Sequence, residues 1–101
     1  MKVVLAEQVC FGCPSAWDVV TDAGDYLYLK YRWGMASVWR ELGDRLVLVR
    51  SVSFGGPLDA WTTLEEFARV VGFELALEAP YKPLPDPNEG YDWDSIPAWL
   101  P

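Results

Sequence analysis

From Tyr26 to Trp33 the side chains alternate without a break. Leu27, Leu29, Tyr31 and Trp33 fall on one side; Tyr26, Tyr28, Lys30 and Arg32 fall on the other. A period of two marks a strand, because successive side chains leave a pleated backbone on opposite faces. One apolar face and one mixed face suit an antiparallel sheet that packs a core on one side. Turn-forming residues then divide the chain around this strand. Asp22-Ala23-Gly24-Asp25 reads as a hairpin turn in which Gly24 takes a positive φ, and Gly34, Gly43-Asp44 and Gly55-Gly56-Pro57 end the runs that follow. The strand-length runs between them are Val3–Val9, Trp17–Thr21, Tyr26–Trp33, Ala36–Leu42 and Arg45–Phe54.

The period changes once. Leu64, Phe67, Ala68 and Val71 fall at i, i+3, i+4 and i+7, which makes one apolar stripe on a helix. Thr63 with Glu66 three residues on forms a capping box. Gly72 stands where a left-handed residue ends a helix, with Phe73 as its hydrophobic contact. Phe73, Leu75 and Leu77 then alternate with Glu74, Ala76 and Glu78, which predicts a last strand. The expected order is β-β-β-β-β-α-β. The fold class expected is α+β: a small antiparallel sheet of four to six strands, one helix from the C-terminal half on one face, and a proline-rich tail.

The composition shifts near Glu78. Residues 1–78 hold seven basic and eleven acidic side chains; residues 79–101 hold Lys82 against Asp86, Glu89, Asp92 and Asp94, with six of the eight prolines. One α+β domain over 1–78 and an acidic proline- and tryptophan-bearing tail over 79–101 follow. Pro80, Pro83, Pro85 and Pro87 favour an extended chain. Tyr91, Trp93, Ile96, Trp99 and Leu100 are more than a linker needs, so the tail is expected to dock through Trp93 and Trp99. The face around Tyr26 and Tyr28 is one receptor for it, and a partner protein is the other.

The net charge of −7, with no histidine, bounds the chemistry. An acidic surface repels phosphate and anionic membranes, so no direct nucleic-acid or membrane contact is expected, while a protein partner stays open. Missing histidine removes the commonest general base and metal ligand. No paired carboxylates or activated serine compensate, so no enzyme and no catalytic residue are expected. Cys10 and Cys13 form a Cys-x-x-Cys spacing in a loop with Gly12 and Pro14. Such a loop can hold zinc or exchange disulfides. Zinc needs four ligands, so the pair reads first as a structural turn with buried thiols, and no cofactor or metal is expected. The apolar start Val3–Ala6 is interrupted by Glu7 and Gln8, so no leader or membrane span is expected and the cytoplasm is the default location.

Cys10-Phe11-Gly12-Cys13-Pro14-Ser15-Ala16-Trp17-Asp18, followed by Tyr26–Arg32, Gly34 and the Leu64-Glu65-Glu66-Phe67 helix, resembles a group of small uncharacterised proteins of actinobacteria and their bacteriophages. The resemblance spans about residues 1–77 and carries no activity with it. It implies a phage or mobile-element context, where small accessory proteins act by binding host proteins. The expectation is therefore a non-enzymatic protein-binding protein. An acidic nucleic-acid mimic directed at a DNA-handling or defence enzyme is one alternative, and a Cys10/Cys13 metal or redox module is another. Candidate partner-binding residues are Tyr26, Tyr28, Lys30, Arg32, Tyr91, Trp93 and Trp99.

Overall fold

A computed structural model describes residues 1–12, 14–79, 81, 83 and 84. Five strands run in a meander: β1 (Lys2–Cys10), β2 (Ser15–Thr21), β3 (Tyr26–Arg32), β4 (Met35–Leu42) and β5 (Arg45–Ser53). One helix, α1 (Leu64–Val71), and a short strand, β6 (Glu74–Leu75), follow. The six strands form one sheet in the order β5-β4-β3-β2-β1-β6, so the fold is α+β. The five meander strands are present with their ends within two residues of those expected, while the last strand, expected over 73–78, is the two-residue β6.

The expected antiparallel sheet is mixed, because β6 pairs with β1 in parallel. Counting directions gives the reason. Five strands joined by hairpins leave β5 running the same way as β1. The helix brings the chain back, so β6 sets out in the direction of β1 and adds to its free edge. Beyond the two paired residues the contact continues: the Ala76 N–H donates to the Val3 carbonyl at 2.9 Å, and that of Glu78 to Val4 at 2.9 Å.

The core lies between the helix and one face of the sheet. Rows of paired residues define that face: Ala6, Val19 and Leu27 in one row; Gln8, Trp17, Leu29 and Val38 in the next; Ser15, Tyr31, Ala36 and Val52 in the third. Trp17, Leu29, Tyr31 and Phe67 are fully or almost fully buried. Phe67 meets Trp17 edge-on, with ring centroids 5.6 Å apart. Register shifts in β1 let Val3, Ala6 and Gln8 share the core side, which is why strict alternation fails there. A further shift, between Val38 and Trp39 of β4, leaves Val49 of β5 without an opposite residue.

The helix ends follow the sequence signals. The Thr63 hydroxyl accepts from the Glu66 N–H at 3.2 Å. The second half of the capping box is replaced, because the Glu66 carboxylate takes the Arg69 guanidinium instead, with Arg69 Nε donating at 3.0 Å. Gly72 has φ 95 and donates to the Ala68 carbonyl, and Phe73 packs 6.2 Å from Phe67.

Trp33 is the main local correction. It does not continue the buried side of β3 but leaves the strand with φ 54, followed by Gly34 at φ 69. Arg32 pairs with Met35, so Trp33 and Gly34 are the two centres of a tight hairpin with both φ angles positive. Trp33 is consequently half exposed. Gly34 is required twice over: its φ is left-handed, and a Cβ there would lie 2.5 Å from the Gly56 carbonyl oxygen.

Candidate interaction surface

The sheet has a second face, and no described element covers it. One row crosses it from β1 to β5: Glu7, Asp18, Tyr28, Trp39 and Leu48 are successive cross-strand partners. Lys30, Ser37 and Ser51 form the next row, and Arg32, Met35 and Ser53 the one after. The face therefore changes character along its width. Its β1–β2 side sets Glu7 directly opposite Asp18. Its β3–β5 side carries Lys30, Arg32, Trp39, Met35 and Leu48.

The aromatic and basic groups on that side are tied to each other. Lys30 Nζ lies 5.8 Å from the Trp39 ring centroid, and the Arg32 guanidinium 5.1 Å from that of Trp33. The Trp39 indole N–H donates to Ser37 Oγ at 3.0 Å, and Ser37 donates to the Lys30 carbonyl at 3.3 Å. These contacts tie the half-buried indole to Ser37 and Lys30. Lys30, Arg32, Trp33, Met35, Trp39 and Leu48 surround an open hollow of about 360 Å³. Burial, Cys10 and Asp18 raise the Tyr28 hydroxyl above its ordinary pKa, so it stays a neutral donor at physiological pH.

Ion pairs sort the basic residues. Lys2 reaches Glu74, Arg40 reaches Asp25 at 2.9 Å, and Arg69 reaches Glu66. Among the described residues, Lys30, Arg32, Arg45 and Arg50 have no carboxylate within the same range. All four lie on β3 and β5. In a chain of net charge −7, these cations of the described residues thus lie toward the β5 edge of the sheet, Lys30 and Arg32 on the outer face and Arg45 and Arg50 on the other.

Sequence reasoning placed Tyr26, Tyr28, Lys30 and Arg32 on one face of one strand, and the structure does bring them there. It missed Trp33, Met35, Trp39 and Leu48, which join them from the next turn and the next two strands. The signal lay in the period of β4: Met35, Ser37 and Trp39 occupy the odd positions, opposite the apolar Ala36 and Val38. Tyr91, Trp93 and Trp99, and the docking expected of them, lie outside the described residues. Of the segment before them, Tyr81 packs against the core cluster and the Leu84 N–H donates to Gln8 Oε1 at 2.9 Å. Both contacts are on the helix side of the sheet. Burial, with Glu65 beside it, raises the Tyr81 hydroxyl.

The cysteine loop is held by packing. Ser15 is fully buried; its hydroxyl donates to the Phe11 carbonyl at 2.7 Å and accepts the Thr62 N–H at 3.1 Å. Phe11 lies 6.3 Å from Trp61. Cys10 is half-buried and points its thiol at the Gly12 carbonyl, 3.8 Å away, while Cys13 lies outside the described residues. No group of three or more metal-ligating side chains is present among the described residues. No helix among them is long and apolar enough to cross a membrane. Comparison with protein-family models, with curated proteins and with solved structures finds no match to this chain.

Proposed function

We propose that this chain is a small non-enzymatic binding protein, and that the outer side of β3–β5 recognises a protein partner. The observation that carries the reading is the uncovered cluster of Trp33, Met35, Trp39 and Leu48 with the unbridged cations Lys30 and Arg32. Tryptophan and arginine are the residues that anchor protein interfaces most often, since they bring large area and directed donors at low entropic cost. The resemblance of the Cys10–Asp18 segment supports a phage-encoded protein acting on a host protein. Acidic mimicry of nucleic acid would call for carboxylates massed on one surface. Among the described residues Glu7, Asp18 and Glu41 gather around one hollow of about 380 Å³, while Tyr28, Trp39 and Leu48 follow one another across β3–β5.

A photoreactive residue at position 39, compared with one at position 7, tests this in extract of the bacterial host. One discrete protein cross-linked from 39 and not from 7, whose purified form binds Trp39→Ala and Arg32→Glu more weakly, is the expected result. Cross-links from position 7 alone would overturn it. So would a salt-sensitive submicromolar complex with an oligonucleotide.

A further inference from the structure

The strand that borders this surface, β5, is the most exposed of the described chain. Of Arg45–Ser53 only Val52 is half-buried, and the other residues are exposed. Leu46, Val47, Leu48 and Val49 retain 47%, 39%, 49% and 59% of their surface. Consecutive apolar residues point to both sides: Leu48 sits opposite Trp39 on the outer face, and Val47 opposite Arg40 on the other. β4 pairs with one side of β5 only. Along its other side the backbone donors and acceptors meet no strand among the described residues. Such an edge is a template for an added strand. The charge within the strand is of one sign, since Arg45 and Arg50 bracket the apolar run and Arg45–Ser53 contains no carboxylate, the nearest ones being Asp44 in the preceding turn and Glu41 opposite Leu46 on β4.

We infer that β5 binds an extended acidic segment of the partner protein by strand addition, with carboxylates set against Arg45 and Arg50 and apolar side chains against Leu46–Val49. The inference rests on the protein-binding reading above and gives it a mode and a sign. Charge selects the occupant. A second copy paired on the apolar run, Leu46 opposite Leu48 and Val47 opposite its own copy with Val49 left out by the bulge, would set Arg45 opposite Arg50 at both ends. Like charges directly opposite destabilise a strand pair, and two chains of −7 repel as wholes. An acidic strand turns both arginines into cross-strand ion pairs. One strand falls short of the roughly 800 Å² per partner of a stable interface, so a bare peptide binds weakly and the partner's remaining contact falls on the Trp39 side.

The probe is a blocked eight-residue peptide alternating glutamate and valine, with its lysine–valine counterpart, offered to the full chain. Fluorescence anisotropy reads affinity and amide hydrogen exchange reads location. The acidic peptide should bind roughly tenfold more tightly than the basic one, the effect of two favourable pairs replacing two unfavourable ones. The amides of Arg45–Ser53 that face away from β4 should gain protection, and R45E/R50E should invert the preference. Should that variant fail to fold, R45Q/R50Q should bring the two peptides close to parity. Equal affinities, or protection confined to β3 and β4, would refute strand addition while leaving the position-39 cross-link intact. The converse, a charge preference on β5 without that cross-link, would locate the failure in the outer-face reading. Protection in the chain alone of the β5 amides that face away from β4 would also overturn the inference. Concentration dependence would identify a second copy as the occupant, and its absence the chain's own residues.

Discussion

Replacing Phe67 by alanine tests whether α1 is held by its apolar stripe. The ring has no exposed surface, stands edge-on to Trp17 at 5.6 Å and lies 6.2 Å from Phe73. Its loss removes one wall of a fully buried indole, and the sheet beneath cannot close the gap because hydrogen bonding fixes the strands. A buried Phe→Ala change costs about 3–5 kcal/mol. The favourable aromatic pairing, worth about 0.5–1.5 kcal/mol, places the effect toward the upper part of that range. Small domains have about 5–15 kcal/mol in total, so the variant should be close to unfolding at room temperature. Phe67→Leu keeps most of the volume and should cost less than about 1.5 kcal/mol. Urea unfolding followed by far-UV circular dichroism measures both, with no dependence on which tryptophan reports. Equal losses for the two variants, or an alanine effect below about 1 kcal/mol, would show that the helix is not anchored through this ring.

Gly34→Ala should cost more than Gly43→Ala, although both positions are left-handed, because only at Gly34 does a Cβ meet a carbonyl oxygen at 2.5 Å; thermal unfolding of the pair reads the difference, with backbone strain alone worth about 1–3 kcal/mol. Tyr31→Phe should lose about 1–3 kcal/mol, since the hydroxyl donates to the Phe54 carbonyl at 2.7 Å and its removal orphans that acceptor. Burial first, and then Asp59, raise the Tyr31 pKa, so the folded state favours the protonated ring. Its contribution is complete below the unfolded value of about 10 and is lost as pH rises through the folded one. Denaturation midpoints taken from pH 8 upward should fall at the alkaline end, and less steeply in Tyr31→Phe, with Tyr28 and Tyr81 supplying the remaining slope. Trp39→Ala should weaken the captured partner by roughly tenfold or more while shifting the unfolding midpoint far less than Phe67→Ala does; a fall in stability of equal size would make Trp39 structural.

Local signals carried most of the fold. The period of two in β3, the glycine turns and the Thr63–Gly72 frame of the helix are set by neighbours in sequence, and each appears where the residues place it. What the chain order could not show was pairing. The parallel placement of β6 depends on which edge is free after the meander closes, and the half-exposed Trp33 depends on a turn that requires two positive φ angles. The surface was legible in the same proportion. Alternation put Tyr26, Tyr28, Lys30 and Arg32 together, because they share a strand. Trp39 and Leu48 join Tyr28 only through cross-strand register, and a bulge between Val38 and Trp39 sets that register for Leu48. Ser15 offered no sequence signal at all. Its role comes from joining Phe11, four residues back, to Thr62, 47 residues on.

Charge yields a last prediction, since the whole chain and its exposed edge have opposite signs. A net charge of −7 repels an acidic peptide, whereas Arg45 and Arg50 attract it. The two effects differ in range. Asp44 and Glu41 stand beside Arg45 and opposite Leu46 and act at the same short range as the arginines, whereas Glu7 and Asp18 lie three or four strands from β5, which at about 4.8 Å per strand is roughly 14–19 Å. The Debye length is about 8 Å at 0.15 M salt and about 30 Å at 0.01 M. Screening therefore removes repulsion from the distant carboxylates at moderate salt, while pairs in direct contact with the arginines persist to higher concentrations. Affinity for the glutamate–valine peptide should accordingly rise from about 0.01 M to about 0.15 M salt and fall again toward 1 M. R45Q/R50Q removes the short-range term, and its weaker binding should only rise or stay level over the same range. Anisotropy titrations at a series of salt concentrations give both curves. A steady fall from the lowest salt in the unaltered chain would mean that the arginines, and not the overall charge, govern the approach from the start.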